Sequence, residues 1–208
     1  MKRNHGDMPV WNFIFKEAFL CRLIRKPQKF NAAIKSVVIG SGDKTVTLGG
    51  ENVLPFYAFD GEIKNGPKVL ENPSDYNAMA EIMWCGSLSH NGLTECGRGK
   101  DFSVHKFGHA LSAKYDVAHG ASLAAVWGAW AKYQYDEETV LWRFARFAEK
   151  VWGITEGSDH KRATEGIERT VAFFHSLGMP TSLHELDIPN PLDEDLRALP
   201  WMQHSRTL

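Results

Sequence analysis

The chain has 208 residues, enough for one good hydrophobic core, or one core with an ill-fitted extension. Its 43% hydrophobic and 24% charged content is ordinary for a globular protein, and a net charge of −1 implies no bulk attraction to nucleic acid or to an anionic membrane. Three cysteines, Cys21, Cys85 and Cys96, with no CxxC spacing and no signal peptide, point to a reducing, cytoplasmic setting rather than a disulfide framework.

In chain order, Val10 to Ile24 is the longest apolar run near the N-terminus, and its periodicity fits a helix or a strand equally. Lys16, Glu17 and Arg22 break it, so it is too short and too charged to span a bilayer. Pro27 ends it. Two β-branched runs then flank Gly40-Ser41-Gly42-Asp43, which predicts a hairpin with a four-to-five-residue loop. That loop lacks GxGxxG spacing and no helix follows it, so it reads as a plain turn rather than a phosphate cradle.

From Asn72 the pattern is helix after helix. Asn72 followed by Pro73 reads as a cap and a first-turn proline, with Tyr76, Ala80, Met83, Trp84 and Leu88 at helical spacing up to His90-Asn91, itself most simply a capping or packing pair. Gly97-Arg98-Gly99 turns the chain, and Asp101 is placed to cap the next helix. Val104, Phe107 and Leu111 form that helix's apolar stripe, and Asp101, His105, Gly108, His109 and Ser112 a separate polar face. Gly108 suits a ligand pocket and small-residue helix packing equally. Residues 121–133 are apolar nearly all round, as in a central buried helix, and Trp127 and Trp130 read as core. Glu137 and Glu138 open a further helix that Gly153 closes. Val140, Leu141, Phe144, Phe147, Ala148 and Val151 face inward, and Arg143, Arg146, Glu149 and Lys150 form its solvated face. Ser158 caps a last helix with Ile167, Val171 and Phe174 on one side, stopped by Gly178 and Pro180. Residues 189–208 are proline-interrupted and acidic, the pattern of a frayed tail.

The chemistry concentrates in DFSVHKFGHALSAKYDVAHG, residues 101–120. His105 and His109 are four apart and share a helix face, and His119 follows a turn through 114–117, just before a helix start. Imidazoles on a helix and on the adjoining turn can converge on one cation, and imidazole suits both zinc and iron. The positive end of the following helix keeps the His119 ring neutral, the state a metal ligand needs. Lys106 stands where a zinc metalloprotease has its catalytic glutamate, which removes that reading.

This stretch, with GPKVLENPSDYNAMAEIMWCGSLSHNGL before it and SLGMPTSLHELDI after it, resembles the iron-containing alcohol dehydrogenase family in its butanol dehydrogenase-like, NADPH-using branch, over about residues 66–188. The resemblance implies a mainly α fold. A helical bundle like the family's C-terminal domain (66–188) would follow an atypical, irregular or hairpin segment (1–65) and precede a divergent tail (189–208), with no complete Rossmann-like domain. It implies His105 and His119 as ligands of a divalent metal, iron or zinc, and His109 beside the nicotinamide of NADP or NAD and the substrate, as the catalytic and cofactor-contacting histidine. Asp101 reads either as a cap or as an acceptor for the His105 imidazole N–H.

The expected function is therefore metal-dependent, NAD(P)-linked oxidation of a small alcohol or reduction of an aldehyde. The family's glycine-rich pyrophosphate loop is not found in this sequence. Nor is its first Asp-x3-His ligand pair, because the Asp-x3-His present is Asp101–His105. The chain thus reads as a truncated or frameshifted form, a fragment whose isolated activity is feeble or nil. The alternatives are a non-catalytic helical remnant with a sticky former interface, and a metal-binding module completed by a homo-oligomer or another chain. No nucleic acid or membrane partner is expected.

Overall fold

A computed structural model describes residues 36–39, 46–49, 53–90, 102–135 and 138–188. Two strands, β1 (Ser36–Ile39) and β2 (Val46–Gly49), pair antiparallel in the register Ser36 with Gly49 to Ile39 with Val46, as the two β-branched runs predict. The residues joining them lie outside the described residues, as do the Val10–Ile24 run and the 189–208 tail.

Among the described residues six helices follow: α1 (Val53–Glu71), α2 (Tyr76–His90), α3 (Ser103–Tyr115), α4 (His119–Tyr135), α5 (Glu138–Trp152) and α6 (Asp159–Ser176). A 3-10 turn, His184–Leu186, is the last described element. The described chain is therefore mainly α, as expected. Consecutive helices pack as three hairpins, α1 with α2, α3 with α4 and α5 with α6. Helix α4 is the hub, touching α3, α5, α6 and the 3-10 turn, while α1 leans on α5.

The run of helices is expected from Asn72 onward, but α1 precedes that point. The breakers that hide α1 are tolerated where they stand. Pro55 is in the first turn, whose N–H groups have no partner inside the helix, whereas Pro67 stands inside the helix and gives up one backbone hydrogen bond near its end. The cap of α2 is also displaced. Asp75 Oδ1 accepts the Ala78 N–H at 3.0 Å, whereas Asn72 Oδ1 accepts the Ser74 N–H in a local turn. The buried face of α2 differs from the predicted stripe as well. Ala78, Ile82, Cys85 and Leu88 are in the core, while Tyr76, Met83 and Trp84 are exposed. This helix carries apolar residues on both sides, so spacing alone does not reveal which side faces in.

The later helices follow their patterns. In α5, Phe144, Phe147 and Ala148 are buried, and Val140, Leu141 and Val151 pack against them. Gly153 sits at φ +67, the left-handed conformation that ends a helix at little cost to glycine. One expectation fails here. Arg143 is buried, its guanidinium 4.7 Å from the Trp142 ring centre, and is not part of the solvated face. Ser158 caps α6 by accepting the Lys161 N–H. Trp127 and Trp130 are buried in the core, as expected.

Aromatic contacts join the hairpins. Phe59 of α1 meets Phe147 of α5 at 5.8 Å and Phe173 of α6 at 6.2 Å, and Trp127 of α4 meets Phe174 of α6 at 5.6 Å. The half-buried Trp152 donates its indole N–H to Thr170 Oγ1 at 2.9 Å, and the buried Thr170 donates to Gly166 O at 2.8 Å, so a polar pair inside the α5–α6 contact is satisfied. Among the described residues no helix is long and apolar enough to cross a membrane.

Candidate metal centre

The site is built by the α3–α4 hairpin. Helix α3 ends at Asp116, which takes φ 52 and donates its backbone N–H to Ser112 O. Asp is one of the few non-glycine residues that adopts this left-handed cap with little strain. Residues 116–118 then lead straight into α4, whose first residue is His119. The predicted turn through 114–117 begins two residues later than expected, because Lys114 and Tyr115 are still helical, and the next helix starts at His119 itself. The N-cap position of α3 falls on Phe102, which makes no side-chain cap, and Asp101 lies outside the described residues.

All three histidines come together. The ring centres of His105 and His119 are 5.1 Å apart at 63°, those of His105 and His109 5.7 Å apart at 89°, and those of His109 and His119 4.9 Å apart and nearly parallel at 26°. His105 is buried, His119 half-buried and His109 exposed. Phe102 backs His105 at 4.9 Å.

Two imidazoles bound to one ion through nitrogens at about 2.1 Å place their ring centres roughly 5 Å apart, and the His105–His119 pair has that spacing with well-inclined planes. His109 and His119 are as close, but their rings are nearly parallel. Nitrogen lone pairs lie in the ring plane, so such a pair does not aim two donors at one point. Among the described residues no group of three or more His, Cys, Asp or Glu side chains is arranged to hold a metal ion. The residues present thus fit two positions of a metal's ligand set and leave the others to be supplied.

The surroundings of His119 disfavour its charged form. Burial, then the neighbouring His109, lowers the pKa of His119 below the ordinary imidazole value of 6.5. A neutral imidazole is the form that binds a metal.

Helix packing sets the distance between the two sides. A Cβ on Gly108 would stand 2.6 Å from Leu123 Cδ2 and 2.9 Å from Ser122 Oγ, so the glycine lets α3 close onto α4. Of its two readings, packing is the one the contacts support. Ser122 escaped the sequence reading altogether, and Ser112 entered it only as part of a polar face. The available signal was their spacing, each three residues beyond a histidine.

The model of the Fe-containing alcohol dehydrogenase family, C-terminal, matches residues 57–202, reaching beyond both ends of the 66–188 stretch that carries the sequence resemblance. The NADH-dependent butanol dehydrogenase A of Clostridium acetobutylicum is 39% identical over 127 residues, 61% of this chain and 32% of its own length. The NADPH-dependent aldehyde reductase YqhD of Escherichia coli is 37% identical over 123 residues, 59% of this chain and 31% of its own. The structure of YqhD in its substrate- and cofactor-free form superimposes with a TM-score of 0.74 at 28% identity, covering 98% of this chain and 49% of that one. An NADH-dependent butanol dehydrogenase A from Thermotoga maritima gives 0.71 at 28% identity, covering 93% and 44%. The chain spans about a third of the length of the curated relatives it matches.

Proposed function

The chain belongs to the Fe-containing alcohol dehydrogenase family, and on that premise we propose that its α3–α4 hairpin is the metal-holding half of an alcohol or aldehyde oxidoreductase site. His105 and His119 would hold a divalent cation, iron or zinc, each through one imidazole nitrogen. The observation that supports the reading is their 5.1 Å ring separation across the α3–α4 hairpin. When bound, the metal would polarise the oxygen of a small alcohol or aldehyde. The hydride would be exchanged with NADP or NAD.

The residues of this chain would do the positioning. His105, buried against Phe102, has little freedom to turn. His119 would present a neutral ring at the first turn of α4. His109 is the exposed member, one helical turn from His105, and would face the substrate and nicotinamide, where its ring could pass a proton.

Two imidazoles without a carboxylate are a sparse ligand set, and no third ligand joins them among the described residues. That observation favours a second reading, a metal-binding module completed by a further chain that supplies the remaining ligands and the cofactor domain. Purified protein given Fe(II) or Zn(II), butyraldehyde and NADPH separates the two. Consumption of NADPH that depends on added metal and is lost in His105→Ala and His119→Ala supports a self-sufficient enzyme. Metal binding lost in the same variants without NADPH consumption supports the module. Binding unchanged in both variants would remove the site.

A further inference from the structure

Three residues join α3 to α4, but a short connection still lets two helices roll against each other. A chain of polar contacts opposes that. Ser122 is fully buried, with its Oγ 2.7 Å from His119 O and 3.3 Å from Ser112 Oγ. A hydroxyl has one proton to give. The short contact with the carbonyl takes the proton of Ser122, so the Ser112 hydroxyl is the donor across the helix interface. The chain runs from Ser112 to Ser122 to the backbone carbonyl of His119, the residue whose ring meets both α3 histidines. Ser112 itself lies three residues beyond His109 on the same face. Gly108 completes the fit, since any Cβ there would press on Ser122 Oγ.

A serine bonding back to its own helix is common and by itself fixes nothing between helices. Here the same oxygen also receives a bond from the neighbouring helix, in a partly buried setting where linked hydrogen bonds reinforce one another. We infer that Ser122, with Ser112 as its donor, is a positioning residue that holds the first turn of α4 so that the His119 ring keeps its place against His105 and His109. The purpose of this device rests on the metal reading above; its geometry does not.

The test uses metal-free, isotope-labelled full chain. Nuclear Overhauser contacts between the His109 and His119 ring protons report the ring spacing directly. In Ser122→Ala these contacts should weaken several-fold while amide signals outside the hairpin keep their positions, and Ser112→Ala should do the same to a lesser degree. Ring contacts at wild-type strength in both variants would overturn the inference. Should Ser122→Ala disturb the whole spectrum, Ser112→Ala decides alone by the same criterion. In a second arm, Co(II) serves as a visible probe of binding, and its affinity should fall about tenfold or more in Ser122→Ala. Ring contacts that weaken in the variants, with wild-type protein that takes up no Co(II), would sink the metal reading and leave the positioning role standing.

Discussion

The imidazole rings of His105 and His119, fourteen residues apart in sequence, stand 5.1 Å apart at an angle of 63°. A cation shared by them would tie α3 to α4. It would bind the folded chain far better than the unfolded one, where the rings are separated, so binding must stabilise the fold. Zn(II) at a hundredfold excess over its dissociation constant should add about 2.7 kcal/mol to wild type. That gain should vanish in His119→Ala and His105→Ala. Thermal melts with and without Zn(II) check this, and an equal rise in all three proteins would place the ion elsewhere.

Gly166 lets α5 and α6 touch. A Cβ there would lie 2.6 Å from Ala148 Cβ and 3.0 Å from Ala148 Cα, and backbone atoms of a packed helix cannot step aside. Alanine has the better helix propensity by about 1 kcal/mol, but overpacking of this kind costs about 1–3 kcal/mol and the contact is among the tightest in the fold. Gly166→Ala should therefore destabilise by roughly 1–2 kcal/mol net in urea unfolding. A variant as stable as wild type would mean that α5 and α6 can slide apart freely.

These two sites show what is legible in a sequence and what is not. The histidine hairpin is legible because its residues are local, with one helical period, one turn and one helix start. Helices α5 and α6 are legible because each has a single apolar side. The inward face of α2 is not, since Ala80, Met83 and Trp84 satisfy the same spacing as Ala78, Ile82 and Cys85, and only the position of α1 decides between them. The burial of Arg143 beside Trp142 is hidden for a similar reason, as a charged residue on an amphipathic helix defaults to solvent until a neighbour covers it. Ser122 is the hardest case, because its importance lies in a contact with α3 that no single-helix pattern contains.

Cys85 is a buried free thiol against the α1–α2 contact, where a Cβ on Gly61 would meet its sulfur at 2.5 Å. Burial first, then the carboxylates of Glu62, Glu81 and Asp60, push its pKa to about 12. The thiolate is the reactive form, so almost none is present at neutral pH. Iodoacetamide should leave Cys85 unmodified in the folded protein and label it as readily as an ordinary cysteine in denaturant, read by peptide mass. Rapid labelling of the folded chain would show that α1 and α2 separate readily.

Glu185 reaches back to the start of the terminal 3-10 turn. Its Oε2 accepts the Thr181 backbone N–H at 2.6 Å and the Thr181 hydroxyl at 3.1 Å, while Ser182 Oγ accepts the Glu185 N–H, a reciprocal arrangement like a capping box. The Thr181 backbone bond, ahead of its hydroxyl bond and the nearby His175 and His184, lowers the Glu185 pKa below 4.5. A carboxylate lowered in this way contributes stability that is fully present above the unfolded value and disappears as pH falls through the folded value. The side chain is exposed, so solvent and salt trim the effect to about 0.5–1 kcal/mol. Glu185→Gln should cost that much at pH 7 and nothing once pH is well below 4, so the two stability curves converge on acidification. A constant gap between them across that range would show that the loss is one of shape and not of charge.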